Sequence, residues 1–298
     1  MTISTSFKRA DKPQIGRFDS SHTSLWHSLI NLYRYRELVK QLTLKDLKLR
    51  YKSSILGFVW SLANPLMMMF VFYLVFVVLL PQTAPQNCDV ANTRECRIYN
   101  SYTAFILVGL MAWNFTANSI STGMMSLLSH ASMIKKVYFP RETLAIASVL
   151  AVFVNFLLSL IPLFLIIFIN GIGLTWYVLL LPVILFFHLL FMCGLGLFLS
   201  VAVVYFRDLT HIMEVGLTAW FFLTPILYTM DRVFPSAQQL VYWLNPMASF
   251  IESYRAILFF HYSPEPLFTL RTCLTGVLSF VLGYYFFIKA SRSLGEVL

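Results

Sequence analysis

The longest uncharged stretch of this sequence determines the solvent in which the chain folds. Residues 143–206, the 64 positions between Glu142 and Arg207, contain no Asp, Glu, Lys or Arg. A membrane-spanning helix needs about 20 apolar residues, so the stretch is long enough for two crossings and too long for one. Because a backbone in hydrocarbon must satisfy its own hydrogen bonds, we predict two helices that are separated near residues 170–173.

Composition extends this conclusion to the whole chain. Apolar residues make up 58% of the 298 positions and charged residues only 12%, which exceeds what a soluble core of this size requires. Charge-free apolar windows predict an all-α integral membrane protein with six spans. The fifth span is the weakest, because Glu214 lies near its start, where a carboxylate is tolerated only close to the interface. The spans cover approximately residues 55–80, 103–122, 143–169, 177–205, 212–230 and 272–288.

The distribution of Lys and Arg predicts the orientation of these spans. Six spans place both termini on one side, and that side carries 17 of the 22 Lys and Arg residues, against five on the other. Since positively charged loops stay in the cytoplasm, we expect cytoplasmic termini. We also expect residues 1–24 to form a polar tail without a cleavable signal. Topology and anionic lipid then explain the net charge of +9, and nucleic-acid binding is not needed.

The loop between the first two spans contains two of the four cysteines. Cys88 and Cys96 are expected on the external side, where their spacing permits a small disulfide; two free thiols are the alternative. The other two, Cys193 and Cys273, lie in apolar segments. The sequence shows no metal-ligand pattern, so we expect no metal site.

Two segments do not fit a plain bundle of spans. In residues 25–54, Leu44 and Leu47 recur at helical spacing beside lysines, so we predict an amphipathic helix in the cytoplasmic interface. Residues 238–260 are largely apolar but contain an Asn-Pro step and two charges, and a re-entrant or external pair of short helices fits them best. Residues 55–298 as a whole form the predicted six-span domain.

The sequence contains no recognisable catalytic or nucleotide-binding motif. It lacks a G-x-x-x-x-G-K-[ST] phosphate loop, a G-x-S-x-G elbow and an H-E-x-x-H pair. We find no convincing mid-membrane carboxylate to bind a driving ion. His188, within the fourth span, is able to bind a proton or a ligand, but a hydrogen bond to a neighbouring helix is the favoured interpretation. If the chain transports a substrate, its energy must come from a partner.

Two short cytoplasmic loops are candidate docking surfaces for such a partner. Both combine cations, a carboxylate and aromatic residues, as small docking surfaces do. Ordinary anchoring by positive charges and interfacial aromatics is the alternative explanation. The candidate coupling residues are Lys135, Lys136, Tyr138, Phe139, Pro140, Arg141, Glu142, Arg207 and Asp208.

Four segments of the sequence carry a family resemblance. Residues 48–60 (KLRYKSSILGFVW), residues 136–142 (KVYFPRE), residues 205–208 (YFRD) and residues 244–246 (LNP) follow one another in this order. In this order, and with Asn-Pro at positions 64 and 65, the chain resembles the permeases of ABC type-2 exporters for polysaccharides. The four signatures extend over nearly the whole chain.

The resemblance implies a permease of the bacterial inner membrane that pairs with itself and with two copies of a separate ATPase. That ATPase would bind ATP and Mg²⁺, and this chain would bind no cofactor. The substrate would be a lipid-linked glycan such as an O-antigen or a teichoic acid. The loop at residues 82–101 is longer than the resemblance predicts and leaves the external vestibule undefined.

The resemblance also implies roles for two segments near the cytoplasmic interface. Residues 129–142 would contain a coupling helix that rests on the ATPase. The end of the interfacial helix and the loop after it would form a gate near the pyrophosphate of the lipid carrier. The gate residues are Arg50, Tyr51, Lys52, Leu56 and Gly57. Simple attraction of their cations to anionic lipid is the alternative.

A glycan that crosses the membrane needs a lined passage, because each hydroxyl loses roughly a few kcal/mol if it is desolvated without a hydrogen bond. Six helices per chain enclose little space, so a two-fold dimer with the passage at its interface is expected. Aromatic side chains that stack on sugar rings are candidates for its wall, although a position facing lipid or in an interfacial belt is the favoured explanation for each of them. These residues are Trp60, Trp113, Trp220 and Tyr228.

Two other functions remain open from the sequence. A small-molecule or drug exporter would share the six spans and the ATPase partner, but the basic amphipathic segment before the first span favours the glycan branch. A membrane-embedded enzyme of lipid-linked sugar metabolism would need paired carboxylates for metal or base chemistry. Asp46, Glu142 and Asp208 are scattered singly, which disfavours an enzyme.

Overall fold

The computed structural model describes residues 34–51, 63, 66–68, 70–71, 74–79, 94–134, 139–229 and 238–291. Every element in these ranges is helical, so the all-α prediction is confirmed for them. A 3₁₀ turn at Trp176–Leu180 and two π-helical segments, Leu74–Leu79 and Ala256–Phe260, accompany the α-helices. The α-helices are α1 (Arg36–Tyr51), α2 (Arg94–Asn100), α3 (Tyr102–Ser129), α4 (Ala131–Ile134), α5 (Glu142–Ile169), α6 (Leu181–Tyr205), α7 (Leu209–Leu223), α8 (Gln238–Leu244), α9 (Pro246–Arg255) and α10 (Pro266–Ser291).

Four of the described helices are long and apolar enough to cross a membrane: α3, α5, α10, and α6 with the 3₁₀ turn before it. They correspond to the second, third, sixth and fourth predicted spans. The chain is therefore a multi-pass membrane protein. The first predicted span, residues 55–80, lies mostly outside the described residues.

The helix at the fifth predicted span is shorter than expected. α7 has 15 residues and ends at Leu223, not at residue 230. At about 1.5 Å per residue it covers about 22 Å, less than the roughly 30 Å of a hydrocarbon core. The helix ends because Thr224 adopts an extended backbone, with φ −97° and ψ 136°. A residue that precedes a proline favours this conformation, and Pro225 follows it.

The predicted break in the uncharged stretch coincides with Gly171 and Gly173. α5 ends at Ile169, and both Gly171 (φ 67°) and Gly173 (φ 72°) have left-handed backbone conformations. Glycine adopts these angles without the steric cost that a Cβ would add. The chain thereby turns back after residue 173 and begins the fourth span.

The core of the molecule is centred on α3. In the most apolar window of α3, 78% of the residues are buried, against 22% for α10. α3 packs against α5, α6 and α9, whereas α10 packs mainly along α6. A helix with most of its surface covered by protein needs fewer apolar residues, which explains why α3 carries several Ser, Thr and Asn side chains in its span.

Glycines allow α6 and α10 to approach closely. A Cβ added at Gly283 would collide with the backbone of Gly194, and a Cβ at Gly194 would collide with the backbone of Ser279. Small residues at such contacts are typical of helix packing in membranes, where van der Waals contact replaces the hydrophobic effect.

α1 packs on α5 with one face and leaves Leu44 of its predicted apolar stripe exposed. Val39, Leu42 and Thr43 are buried, whereas Leu44 is 40% exposed. The Thr43 hydroxyl donates to the Val39 carbonyl (2.8 Å) and also lies 3.4 Å from the carbonyl of Ala147 in α5. α1 has apolar residues on two sides; one side packs on protein, and Leu44 lies on the exposed side. Its predicted position in the cytoplasmic interface stays a prediction.

Candidate functional site

One end of the bundle brings together the ends of several helices, and we call it the Arg141 end. Nη1 of Arg141, just before α5, donates to the Ser291 carbonyl at the end of α10 (3.1 Å). The hydroxyl of Tyr205, the last residue of α6, donates to the Ala290 carbonyl (3.1 Å). The coupling candidates that the structure describes, residues 139–142 with Arg207 and Asp208, therefore share this end of the molecule.

The turn between α6 and α7 presents charged and aromatic side chains to the surrounding medium. Phe206 is 71% exposed, and Arg207 and Asp208 are also exposed. Asp208 stands at the position before the first residue of α7 but its side chain makes no capping hydrogen bond. A large exposed aromatic ring between two helices, followed by an exposed cation and an exposed carboxylate, is suited to contact with another protein.

The other predicted coupling loop, which leads into α5, is more buried than the turn between α6 and α7. Phe139, Pro140, Arg141 and Glu142 are half-buried, and the Thr143 hydroxyl donates to the Pro140 carbonyl (2.6 Å). This bond joins the loop to the first turn of α5. Lys135, Lys136 and Tyr138 of the same prediction lie outside the described residues.

Asp46 links α1 to residues on both sides of the predicted coupling loop, His130 after α3 and Ser148 in α5. The Ser148 hydroxyl, in the second turn of α5, donates to Asp46 Oδ2 (3.3 Å). Nε2 of His130, immediately after α3, lies 3.9 Å from Asp46 Oδ1. Sequence periodicity does not reveal these contacts, because 84 and 102 positions separate Asp46 from His130 and Ser148.

A cavity of about 550 Å³ lies beside Asp46, between α1, α3 and α5. Its wall mixes polar and apolar side chains, including Lys45, Thr122 and Met125. The predicted gate is adjacent in sequence: Arg50 and Tyr51 end α1, but nothing is described of their side chains. Lys52, Leu56 and Gly57 lie outside the described residues, so the gate role stays a prediction.

At the opposite end of the bundle, arginines of α2 bind groups near the end of α9, and we call this the Arg97 end. Nη1 of Arg97 donates to the Phe260 carbonyl (2.8 Å), and Arg94 forms an ion pair with Glu252 (2.5 Å). Cys96 between these arginines is buried and disulfide-bonded. Its predicted partner, Cys88, lies outside the described residues, and the thiols of positions 193 and 273 are free.

The described candidates for a glycan wall contact protein in this structure. Trp113 is only 6% exposed, and its ring meets those of Trp220 and Phe221 edge to face, with centroids 5.7 Å apart in each pair. The Trp220 indole N–H donates to Asn245 Oδ1 (2.9 Å). The Tyr228 hydroxyl donates to the Phe222 carbonyl (3.0 Å). Of the three, Trp113 offers the least free surface to a sugar.

The remaining wall candidate, Trp60, lies outside the described residues. The passage role therefore stays a prediction for all four aromatic residues.

His188 hydrogen-bonds neighbouring helices, as the favoured interpretation predicted. Its Nε2 is 3.1 Å from the Thr116 hydroxyl of α3, and its Nδ1 is 3.1 Å from the Tyr254 hydroxyl of α9. The ring also stacks on Phe250 with centroids 4.6 Å apart. The side chain is fully buried. No group of His, Cys, Asp or Glu in the described part of the chain is arranged to hold a metal ion.

Comparison with known proteins identifies the family. The model of the ABC-2 type transporter family matches residues 37–259. The chain is 37% identical over 243 residues to the O-antigen export system permease protein RfbA of Myxococcus xanthus, and the match covers 80% of this chain and 87% of that protein. A protein of the same name from Klebsiella pneumoniae is 31% identical over 270 residues, or 90% of this chain and 97% of the relative. The chain therefore belongs to the ABC-2 type transporter family.

Proposed function

We propose that this chain is the permease subunit of an ATP-driven exporter that moves a lipid-linked, O-antigen-like polysaccharide out of the cytoplasm across the bacterial inner membrane. The observation that carries the proposal is the match to O-antigen export permeases over 80% and 90% of the chain and nearly the whole length of those relatives. The chain supplies the passage for the polysaccharide and the helices that move during transport. A separate ATPase hydrolyses ATP with Mg²⁺.

The surface of α7 supports a second copy of the chain as a partner. No residue of α7 is fully buried within the protomer. Its largest exposed side chains include Val215 (72%), Ile212 (64%) and Phe222 (64%). A polar glycan requires a passage that is shielded from lipid, and a two-fold axis beside α7 provides one wall from each protomer.

The Arg141 end supports contact with the ATPase. The exposed Phe206, Arg207 and Asp208 form a compact mixed surface there, and the loop before α5 lies at the same end. The sequence itself has no phosphate loop. ATP-driven closure of two ATPase copies would act on these loops and move the two permeases relative to each other.

Charge attraction supports the gate residues as the first contact of the substrate. In the amphipathic region, Arg50 and Lys52 follow the exposed leucines of α1. An anionic pyrophosphate near the interface is attracted by cations there, because water is partly excluded. The glycan branch is favoured over a drug exporter by this basic segment and by the names of the relatives.

The proposal is tested by complementation. The chain and its cognate ATPase are expressed in a strain that lacks its own O-antigen permease, and surface polysaccharide is measured. The double variant Arg141→Glu, Glu142→Arg is expected to lose ATPase co-purification and export. Lys40→Glu is the matched control, because that side chain is 65% exposed on α1 and only pairs with Glu37. Full export by the double variant, or transport of small molecules without surface polysaccharide, would contradict the proposal.

A further inference from the structure

α7 is weakly embedded in its own protomer, so the contacts at its ends determine its position. The side chains of α7 that pack against the core form one strip, and they are all only partly buried: Leu209, Met213, Leu217, Trp220 and Phe221. At the Arg141 end, α7 begins in the exposed turn of Arg207 and Asp208. At its other end the helix stops at Leu223, where the aromatic contacts of Trp220 and Phe221 with Trp113 are joined by hydrogen bonds.

Asn245 makes four hydrogen bonds at the end of α7. Its Oδ1 accepts from the Trp220 indole N–H (2.9 Å) and from the Met247 backbone N–H (3.1 Å). Its Nδ2 donates to the Thr224 hydroxyl (3.0 Å) and to the Leu223 carbonyl (3.3 Å). A primary amide provides both an acceptor and two donors, so a carboxylate at this position would lose both donated bonds.

Arg255 holds the next two residues of the chain. Its guanidinium is 1% exposed and donates to the Pro225 carbonyl (2.6 Å) and to the Ile226 carbonyl (2.5 Å). The same group lies over the ring of Phe105, 3.6 Å from the centroid. A buried cation is costly unless it is hydrogen-bonded. Here Nη1 and Nη2 are bonded to carbonyls outside any helix, whereas Nε has no partner among the described residues.

The two residues lie at the two ends of α9, and we call them the α9 clamp. Asn245 is the N-cap of α9 and Arg255 is its last residue. Long helical side chains incline toward the helix N-terminus, so Arg255 reaches back to the segment that Asn245 also contacts. α9 itself is buried over most of its length and is joined to α6 by the bond between His188 and Tyr254.

We propose that Asn245 and Arg255 are positioning residues for export, which fix the Leu223 end of α7 to the core so that α7 pivots about this end. A displacement of the Arg207 turn by the ATPase then tilts α7 about the clamp and changes the width of the passage that α7 faces. This inference rests on the proposed function, and it adds a fixed point to the mechanism.

The first test compares export with ATP hydrolysis in the assembled complex. Asn245→Asp keeps both accepted bonds and removes both donated ones, and Thr224→Val removes only the hydroxyl. Each variant loses two hydrogen bonds, because the Thr224 hydroxyl also donates to the Trp220 carbonyl (2.6 Å). Both are expected to assemble with normal ATPase activity, while polysaccharide exported per ATP falls at least about fivefold, the factor that corresponds to one net hydrogen bond. Ser253→Ala is the control, because that hydroxyl bonds only to the Ser249 carbonyl within α9, and its ratio should not change.

The second test measures the pivot directly by distances between spin labels. In complexes with one labelled protomer and without Cys193 and Cys273, Ile212 is paired with Phe286, and Phe222 is paired with Leu274. On addition of a non-hydrolysable ATP analogue, the first distance should change and the second should not. With Asn245→Asp, both distances should change.

Several results would overturn the pivot while leaving the proposed function intact. One is an equal change of both label distances in the unmodified protein. Another is an unchanged distance between Phe222 and Leu274 in the Asn245→Asp variant. A third is an unchanged ratio of exported polysaccharide to hydrolysed ATP in both Asn245→Asp and Thr224→Val. A merely structural role for the clamp would lower assembly, ATPase activity and export together, and this outcome also contradicts the pivot. Failure of the unmodified chain to bind an ATPase would instead contradict the proposed function.

Discussion

His188 illustrates how a single buried polar residue organises the bundle. It bonds Thr116 of α3 and Tyr254 of α9 from its own position on α6. The sequence predicted the kind of interaction, because an isolated histidine in an apolar span needs a partner. It could not predict the partners, which are 72 and 66 positions away.

Replacing His188 by Leu is expected to lower the thermal stability of the protein. The change leaves the hydroxyl of Tyr254 without this acceptor or donor in a dry interior, which costs about 1–3 kcal/mol. The melting temperature of the detergent-purified protein measures the effect. Phe186→Leu on the same helix is the control, since that ring is 54% exposed. Equal melting temperatures for the two variants would contradict this prediction.

The helices show which element boundaries a sequence pattern can predict. α5 and the fourth span begin and end within about two residues of the predicted limits, because uncharged runs bounded by charges or glycines mark membrane depth. The predicted end of α7 was wrong, because the Thr224-Pro225 step stops the helix but does not change the hydropathy of the segment. The sequence did not predict which face of α1 packs on α5, because periodicity identifies apolar stripes but not which stripe contacts protein.

The close contact between α6 and α10 gives a matched pair of glycine variants. Gly283→Ala is expected to reduce the folded yield, because its Cβ would collide with the backbone of Gly194. Gly216→Ala on α7 meets nothing within 4 Å and should be neutral or stabilise by about 0.5–1 kcal/mol. Fluorescence-detected size exclusion of both variants measures folded yield. A normal yield for Gly283→Ala would show that α10 can shift.

The attachment of α1 depends on Asp46. Asp46→Ala removes the bond from Ser148 and the contact with His130, so the backbone amides of residues 39–47 should exchange with deuterium faster. Hydrogen exchange of the purified complex measures this. Glu37→Ala should leave the exchange unchanged, because Glu37 is exposed and only meets Lys40. Unaltered protection in Asp46→Ala would mean that apolar packing alone holds α1.

At the scale of the whole molecule, the charge asymmetry predicts which end faces the cytoplasm. Phe206 is exposed at the Arg141 end and Tyr262 is 40% exposed at the Arg97 end. A membrane-impermeant maleimide applied to intact cells should label Tyr262→Cys and not Phe206→Cys. After lysis, when the reagent reaches both sides of the membrane, Phe206→Cys should also be labelled. Labelling of Phe206→Cys in intact cells would invert the topology.

The central position of α3 has a consequence for biosynthesis. α3 is the least apolar of the four long helices and the most covered by protein, yet it is made before α5, α6 and α9, which cover it. A nascent α3 that has left the translocon therefore faces lipid before Thr116 can bond His188 of α6 and Met247 of α9. Its stable insertion must wait until synthesis has reached Arg255, so a chain truncated before α9 should be a substrate for membrane proteases and not a partly working permease.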